Sequence, residues 1–301
     1  MTRNVLAIDI GGTKVALALV TAGGSVVEQR IYATPKASPN TAVATVLGWA
    51  AELARGYSAA SCGIVLPAVV QEGRLAWVAE SIAGWDGLAL RDLAADRLGV
   101  PAVVEFDGYG ATLGEWWQGS ARGHRDAAVV IAGTGVGAGI MHGGRLIRSA
   151  TAIAGGIGWL RFPYDGTPGP RLEDVASGPA ILAEARRLRG EDAFAYPDTP
   201  AVFTAAEADD PAAGAAVERG LLALTAGVGA IVALFAPEIV VLGGSVGARP
   251  DVVERVREML LEMTQPFAAR GVKVEGSSLG ALSSLYGAAY LALQLSRGKE
   301  T

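Results

Sequence analysis

The chain has 301 residues, of which 51% are hydrophobic and 18% charged, a balance that excludes a disordered protein. Its net charge of −5 provides no basic footprint, so we expect no nucleic-acid partner. The single cysteine, Cys62, excludes an internal disulfide and a zinc site built from several cysteines, and it fits a reducing cytoplasm.

The first predicted element is a pair of strands joined by a tight turn. The apolar run VLAIDIGGTKVALALV is interrupted by Gly11, Gly12 and Thr13, and apolar and β-branched residues resume directly afterwards. The elements predicted next, in chain order, are a helix over about 40–56, the strand CGIVLP, a hairpin around Gly73, a helix over about 90–98 and the strand PAVVEF.

The same strand–turn–strand pattern returns from Ala127, in AAVVIAGTGVGAGIMHGGRLI. Helices are then predicted over about 173–188, 211–235, 250–263 and 285–295, with the strand IVVLGG among them. Residues 196–211, rich in Pro, Asp and Ala, are predicted to form a surface connection. Two copies of the pattern predict a duplicated α/β architecture of two lobes with a cleft between them.

A membrane segment is not expected. The N-terminus lacks the pattern of a signal peptide. The longest uncharged stretch, residues 220–237, contains several glycines and ends at a proline before a short strand. This arrangement favours a buried core helix over a membrane span.

Two Gly-rich turns, Asp9–Lys14 and Gly133–Gly139, are of the kind that holds phosphate, because backbone N–H groups without a Cβ can approach an anion closely. In DIGGTK, Asp9 would hold the hydration shell of Mg²⁺ and Lys14 would add positive charge, although a plain hairpin turn is the alternative. The third turn, LGGS, offers a seat for adenine or ribose. The candidate nucleotide contacts are Asp9, Gly11, Gly12, Thr13, Lys14, Gly133, Thr134, Gly135, Gly137, Gly243, Gly244 and Ser245.

Two familiar nucleotide motifs are not matched. The run GTGVGAG resembles a dinucleotide fingerprint, but the residues that follow it continue as a strand and do not open a helix. Neither of the first two Gly-rich turns has the spacing GxxxxGK[ST] of a P-loop.

Asp107 ends an apolar strand within VVEFDGYGATLGE, and Gly-rich turns occur on both sides of it along the chain. A carboxylate between two phosphate-holding turns is the arrangement needed to move a phosphoryl group onto an alcohol. The alternative is that Asp107 only caps a helix beginning near Gly110.

Together these motifs resemble the ROK family, which contains bacterial glucokinases, other sugar kinases and sugar-responsive repressors. The resemblance covers nearly the whole chain and rests on DIGGTK, SIAGWDGLALRDLAADRLGVPAVVEFD, the second phosphate turn, RLEDVASGPAI and PEIVVLGGSV. Repressor members carry a DNA-binding region before the first phosphate strand, which this chain reaches by Val5, so we do not expect a repressor.

The resemblance implies an α/β, two-lobed actin-like ATPase (ribonuclease H-like) fold. The small lobe would comprise residues 1–107 plus 284–301, and the large lobe residues 108–283. It also implies ATP and Mg²⁺ as cofactors, with Asp107 as the catalytic base that accepts the proton of the attacking hydroxyl. A cytoplasmic homodimer is implied as well, with Trp116 and Trp117 as part of an apolar interface or as ordinary core.

The chain departs from the family at the sugar. Phe106 replaces an Asn, the family's GEIGH segment reads GGIGW, and Ser81 replaces the Asn ahead of Gly84. Residues 162–170 stand where the family has a Cys-rich zinc loop, so no zinc site is expected. The candidate substrate contacts are Ser81, Gly84, Phe106, Gly156 and Trp159.

A retained phosphate side and a rewritten sugar side predict altered specificity. Glucose would leave hydroxyls poorly paired, at about 1–3 kcal/mol for each buried one. We therefore expect a kinase acting on the primary (6-type) hydroxyl of a modified hexose, most of all an amino sugar such as kanosamine in secondary metabolism. The alternatives are a glucokinase, an N-acyl-hexosamine kinase, a C7-cyclitol kinase and a non-catalytic sugar sensor. An ammonium group would find an aromatic face or a countercharge among Phe106, Tyr109, Trp159, Tyr164, Glu105 and Asp165.

Overall fold

The computed structural model describes residues 4–161, 167–190 and 195–298, which form two compact units. The first unit contains Met1–Gly123, Arg148–Ala154 and Ala281–Thr301, and the second contains His124–Ile147 and Gly155–Gly280. Residues 108–123, 148–154 and 281–283 thus group with the first unit, whereas the predicted lobe boundaries give them to the larger lobe.

The described residues form short runs of strands and of helices along the chain. The strands are β1 (Asn4–Ile10), β2 (Lys14–Thr21), β3 (Val26–Ala33), β4 (Ala59–Leu66), β5 (Ala68–Gln71), β6 (Arg74–Val78), β7 (Ala102–Phe106), β8 (Ala127–Ala132), β9 (Val136–His142), β10 (Arg145–Leu146), β11 (Ile239–Gly243) and β12 (Lys273–Gly276). The helices are α1 (Pro39–Leu53), α2 (Leu90–Leu98), α3 (Asp107–Gln118), α4 (Glu173–Ala176), α5 (Gly178–Arg189), α6 (Thr199–Glu207), α7 (Pro211–Phe235), α8 (Gly244–Gly247), α9 (Pro250–Met263), α10 (Pro266–Gly271) and α11 (Ser283–Ser296).

Each unit is built on a five-stranded sheet, and the two sheets share one topology. The first has the order β3-β2-β1-β4-β7 and the second β10-β9-β8-β11-β12. In both, three consecutive antiparallel strands, β1-β2-β3 or β8-β9-β10, are extended by two parallel strands. These are β4 and β7 in the first sheet and β11 and β12 in the second. The predicted duplication is confirmed.

Each unit has its own hydrophobic core, built on its own sheet. The inward side chains of the first sheet, among them Leu6, Ile8 and Ile64, pack with α1 and α2. Those of the second sheet, among them Val130 and Leu242, pack with α5, α6, α7 and α9. The parallel strands β4, β8 and β11 are almost wholly buried, as strands covered on both faces must be.

The sequence pattern misses or misplaces several elements. The predicted surface connection over 196–211 is wrong, because α6 lies within it and buries Val202 and Phe203. There the Asp198 side chain accepts a hydrogen bond from the Ala201 amide and starts the helix. The predicted helix over 173–188 is two helices, α4 and α5, because Ser177 between them is extended.

Helix α7 is the one described helix long and apolar enough to cross a membrane by length and composition alone. Helices in the cores of globular proteins pass the same test, and α7 buries residues such as Leu224, Val228 and Ile231 in the second core. These contacts agree with the predicted core helix.

Helix α3, which begins at Asp107, is held by a close crossing with α11. A Cβ placed on Gly287 of α11 would lie 1.8 Å from the carbonyl oxygen of Gly110, and one on Gly114 would lie 2.0 Å from that of Ser283. The Ser283 hydroxyl donates a 2.6 Å hydrogen bond to Glu115 Oε1 beside these contacts. Glycines therefore permit the approach that fixes the helix carrying Asp107.

Gly287→Ala is expected to lower thermal stability, because a methyl group cannot fit against backbone without separating the two helices. We expect a loss of about 1–3 kcal/mol of unfolding free energy, read as a lower thermal midpoint. Gly48→Ala is the matched control, since a Cβ at this position in α1 would meet no atom within 4 Å. It should stabilise by up to about 1 kcal/mol through helix propensity. A Gly287→Ala midpoint equal to that of the parent protein would contradict the close crossing.

Candidate active site

Asp107 is the first residue of α3 and directly follows Phe106, the last residue of β7. Phe106 is extended at the N-cap position (φ −62°, ψ 136°), and no side chain caps the helix. The alternative that Asp107 caps a helix starting near Gly110 is therefore wrong. The half-buried carboxylate lies instead at the positive end of the α3 dipole.

Asp9 lies near the end of β1, two strands away in the same sheet. Asp9 pairs in register with Val65 of β4, and Val65 pairs with Glu105 of β7, so Asp9 is level with a residue two positions before Asp107. The carboxyl ends of parallel strands meet at one edge of a sheet. Asp9 and Asp107 accordingly lie at the same edge of the first sheet.

The two carboxylates are destabilised as anions. Burial raises the pKa of Asp107 to about 6, although hydrogen bonds from the Gly108 and Asp107 amides oppose the rise. Burial also raises the pKa of Asp9 to about 7, the charge of Asp107 raises it further, and Lys14 opposes this. A raised carboxylate pKa suits a group that must take up a proton near neutral pH.

The raised pKa of Asp107 predicts an acid limb in the rate profile. A base acts only when deprotonated, so kcat/KM should fall about tenfold per pH unit below about pH 6. The measurement is kcat/KM from about pH 5 to about pH 9 at saturating Mg-ATP, with the stability of the protein checked at each pH. A rate that stays constant down to about pH 4.5 would show that no group with this pKa limits the reaction.

The first phosphate turn joins β1 to β2. The Gly11 amide donates to the Lys14 carbonyl at 2.9 Å, and Gly12, Thr13 and Lys14 are exposed. The hydroxyl of Thr34, the residue after β3, donates to the Gly11 carbonyl at 2.6 Å and stabilises the turn. Exposed amides in a fixed turn can bind an anion, and the structure thus brings Asp9, Gly11, Gly12, Thr13 and Lys14 together.

The second phosphate turn joins β8 to β9 in the second unit. The Gly133 amide donates to the Gly135 carbonyl at 2.9 Å, while the Gly178 amide at the start of α5 donates to the Gly133 carbonyl at 2.8 Å. Thr134 and Gly135 form the exposed tip. A Cβ on Gly137 would meet no atom within 4 Å, so packing does not explain that glycine and open space remains beside it.

The third turn lies directly beside the second. A Cβ on Gly133 would lie 3.6 Å from the Ser245 amide nitrogen, so Gly133 and the start of α8 are neighbours. Gly244 has φ +83°, and a Cβ there would lie 2.3 Å from the Ala132 carbonyl oxygen, so only glycine fits. Gly243, Gly244 and Ser245 thus join Gly133, Thr134, Gly135 and Gly137 in one backbone-lined site.

Among the predicted sugar contacts of the first unit, Ser81 and Gly84 lie in a short exposed segment. A Cβ on Gly12 would lie 2.4 Å from the Ser81 Cβ, so Ser81 contacts the first phosphate turn. Phe106 is half-buried, and its ring meets that of Tyr109 edge-on at 5.6 Å. Ser81 and Phe106 therefore lie next to the turn and to Asp107, respectively.

The predicted sugar contacts of the second unit are Gly156 and Trp159. Gly156 directly precedes a short helical turn over Ile157–Trp159, and Trp159 is the last residue of that turn. This segment packs on β9, because the Ala138 amide donates to the Gly155 carbonyl at 2.8 Å. The Trp159 side chain remains 58% exposed. Gly156 has φ −68°, a value that any residue adopts, so its backbone does not require glycine.

Glu173 was missed as a site residue. Its Oε2 lies 3.3 Å from where a Cβ of Gly135 or of Gly158 would stand, which places a carboxylate beside the second phosphate turn and the Trp159 segment. The run RLEDVASGPAI, quoted above for the resemblance, contains it. The sequence alone offered no spacing that linked Glu173 to either segment.

The proposed aromatic faces for an ammonium group are mostly taken. Tyr109 is fully buried, and the Arg171 guanidinium stacks on Trp159 at 4.7 Å from its ring centroid. Glu105 is paired with Arg148 at 2.9 Å. Tyr164 and Asp165 lie outside the described residues.

The donor groups fit Mg²⁺ better than zinc. Across residues 4–161, 167–190 and 195–298, no three His, Cys, Asp or Glu side chains come together as a metal cluster. Mg²⁺ usually keeps several waters and uses one or two carboxylates together with substrate phosphates. Asp9, whose charge is poorly compensated, would hold such an ion through its water, and the ion would offset the repulsion from Asp107.

Comparisons with known proteins agree with these features. The model of the ROK family matches residues 5–295. The bifunctional enzyme NanE/NanK of Brucella melitensis is 32% identical over 96% of the chain, which spans about half (54%) of that relative's length. The kanosamine kinase of Amycolatopsis mediterranei is 30% identical, over 98% of the chain and 97% of that enzyme.

A solved structure is also similar over nearly the whole chain. It is a ROK family glucokinase from Streptomyces griseus in complex with glucose and AMPPNP. The TM-score is 0.79 at 26% identity, and the match covers 97% of this chain and 99% of that one.

Proposed function

The chain belongs to the ROK family, and on that premise we propose that it is an ATP-dependent carbohydrate kinase whose substrate is a modified hexose. The proposed reaction is transfer of a phosphoryl group from ATP to the primary (6-type) hydroxyl. The observation that carries it is Asp107: a half-buried carboxylate with a pKa near 6, at the sheet edge that also holds Asp9 and the first phosphate turn.

In this proposal Asp107 accepts the proton of the attacking hydroxyl. Its pKa of about 6 leaves it mostly ionised at neutral pH and still basic enough to take up a proton. Asp9 would hold Mg²⁺ through water, and the backbone amides of the three Gly-rich turns would bind the phosphates and nucleoside of ATP. When bound, the metal would neutralise negative charge on the transferred group.

For the substrate we propose an amino sugar such as kanosamine. Its support is the replacement of polar sugar contacts by Phe106, Gly156 and Trp159, together with 30% identity to a kanosamine kinase over nearly full length. Because Arg171 occupies one face of Trp159 and pairs with Glu173 Oε1, a substrate ammonium would pair with Glu173 Oε2, the oxygen that faces the Trp159 segment.

Other substrates remain as alternatives. The solved structure of a ROK family glucokinase in complex with glucose favours glucose. An N-acyl-hexosamine is the second alternative and follows from the family resemblance. A C7-cyclitol is the third alternative, and a non-catalytic sugar sensor the fourth. Retention of Asp107 argues against the sensor, since binding alone needs no base. We also propose a cytoplasmic homodimer, which follows from the family resemblance and not from a contact in this chain.

The test is ADP release with Mg-ATP against glucose, mannose, N-acetylmannosamine, glucosamine, kanosamine and a valiolone-type cyclitol. We expect turnover on kanosamine or a close analogue to exceed turnover on glucose by at least about tenfold in kcat/KM. Efficient turnover on glucose would replace the substrate proposal with a glucokinase. If no sugar were phosphorylated while Mg-ATP still bound, the kinase proposal would fail and the sensor would take its place.

A further inference from the structure

Arg171 joins three side chains of the second unit at once. Its guanidinium stacks on Trp159 at 4.7 Å from the ring centroid, and Nη1 lies 3.0 Å from Glu173 Oε1. Nε and Nη2 also donate to the two Asp174 carboxylate oxygens, at 3.0 Å and 2.7 Å. The planar, many-donor guanidinium can make these contacts together, which an ammonium cannot.

The stack restrains an indole that is otherwise mostly exposed. A half-exposed tryptophan loses rotamer freedom when a ligand binds unless the protein has already fixed it. Backbone contacts bring the segments of Trp159 and Arg171 side by side. The Leu172 amide donates to the Leu160 carbonyl at 2.8 Å, and Arg161 and Arg171 form an isolated antiparallel β-bridge. Arg171 is therefore placed to set the plane of the Trp159 ring.

The same guanidinium also orients Glu173. Oε1 is the atom that faces Arg171, while Oε2 lies 3.3 Å from the Cβ positions of Gly135 and Gly158. The second carboxylate oxygen thus faces the phosphate turn and the Trp159 segment. Without Arg171 the Glu173 carboxylate would lose this ion pair, and the orientation of its two oxygens would be less restrained.

We propose that Arg171 is a positioning residue for carbohydrate specificity, which fixes the Trp159 ring and the Glu173 carboxylate as one preformed wall of the sugar site. The proposal rests on the proposed kinase function. It assigns to Arg171 no contact with the reacting atoms, so its loss should weaken carbohydrate binding and spare the nucleotide and the chemical step. The cation–π contact involves Trp159, which stands where the family resemblance implies a His. Arg171 directly follows residues 162–170, which stand in place of the family's zinc loop.

The experiment compares Arg171→Gln and Arg171→Lys with Arg189→Gln. Arg189 is the matched control, because it stacks on Tyr196 at 5.7 Å and pairs with Asp210 in the same unit. It is the last residue of α5, at the end opposite to Gly178, which contacts the second phosphate turn. We expect Arg171→Gln to raise the carbohydrate KM about tenfold, with the ATP KM and kcat within about twofold. Arg171→Lys should recover only part of this, because lysine lacks the planar fork. Arg189→Gln should leave all three constants unchanged.

A double-mutant cycle tests the stack itself. The carbohydrate KM changes of Arg171→Gln and Trp159→Phe should be less than additive if the two side chains act together. Additive changes, or an ATP KM that rises as much as the carbohydrate KM, would overturn the positioning role.

A readout that needs no turnover separates this proposal from the kinase proposal. Amide hydrogen exchange over residues 155–161 should be faster in Arg171→Gln than in the parent protein and unchanged in Arg189→Gln. Unchanged exchange in Arg171→Gln would overturn the restraint whatever the activity. Faster exchange in a protein that phosphorylates no sugar would leave Arg171 as a restraint of the segment and would overturn its role in specificity.

Discussion

Asp107→Asn is expected to lower kcat by about 10²–10⁴-fold while leaving Mg-ATP binding intact. Asparagine keeps the shape of the side chain but cannot accept the proton of the attacking hydroxyl. The residual rate would come from positioning and from the backbone amides of the phosphate turns. The measurement is kcat on the best sugar of the panel, with nucleotide binding followed separately by calorimetry.

The same substitution is expected to stabilise the free protein at about pH 8. The folded pKa of Asp107, about 6, lies above its ordinary value of 3.8, so the folded state binds the proton more tightly than the unfolded state does. This stabilisation is complete below the unfolded pKa and is lost as the pH rises through about 6. At about pH 8 the parent protein carries the disfavoured charge, and the neutral amide removes it.

Asp96→Asn is the control for both effects, since Asp96 is an exposed aspartate on α2. It should change neither kcat nor the thermal midpoint at about pH 8 by a measurable amount. A catalytic loss in Asp107→Asn with a lower midpoint at that pH would show that Asp107 holds the fold together. Full activity in Asp107→Asn would show that Asp107 is not the catalytic base.

Restoring the family's polar residues is expected to redirect the enzyme to glucose. The triple variant Phe106→Asn, Gly156→Glu and Trp159→His should raise kcat/KM on glucose at least about tenfold and lower it on the best modified sugar. Each hydroxyl that regains a partner recovers about 1–3 kcal/mol, and about 1.4 kcal/mol corresponds to a factor of ten. The backbone φ of −68° at position 156 suits any residue, so Glu there requires no left-handed conformation.

The matched control replaces Gly156 with Gln in the same background, which keeps the shape of Glu without its charge. It should gain less on glucose than the Glu variant does, because a carboxylate is the stronger hydrogen-bond acceptor. A folded triple variant with an unchanged ratio of glucose to modified-sugar kcat/KM would show that Phe106, Gly156 and Trp159 do not set specificity.

The sequence predicts elements well where local pattern and tertiary packing agree. The bounds of α2, α7 and α9 are the predicted ones, because each helix has a continuous apolar stripe and clear end residues. The paired strands and both Gly-rich turns follow from the interrupted apolar runs. By contrast, β3 is an edge strand with little burial. Its sequence therefore shows no alternation of apolar and polar residues that would predict a strand.

The candidate site was predictable only in part. The residues of each phosphate turn are contiguous in the sequence, and Asp107 directly follows the apolar run of β7, so each of these motifs could be recognised locally. Arg171 contacts Trp159, which is 12 positions away in the sequence. Glu173 lies beside Gly135, which is 38 positions away. No local spacing encodes such contacts. Likewise, the sequence gives no sign that Arg171 occupies a face of Trp159.

The most direct test of the account is a competition between glucose and kanosamine at equal concentration with limiting Mg-ATP. The products would be identified by mass spectrometry, and the phosphorylated position by phosphorus–proton NMR. We expect kanosamine phosphorylated at its 6-hydroxyl to be the main product, with glucose 6-phosphate at least about tenfold less abundant. Glucose 6-phosphate as the main product would contradict the rewritten sugar site, and phosphate on a different hydroxyl would contradict the assignment of Asp107 to the primary alcohol.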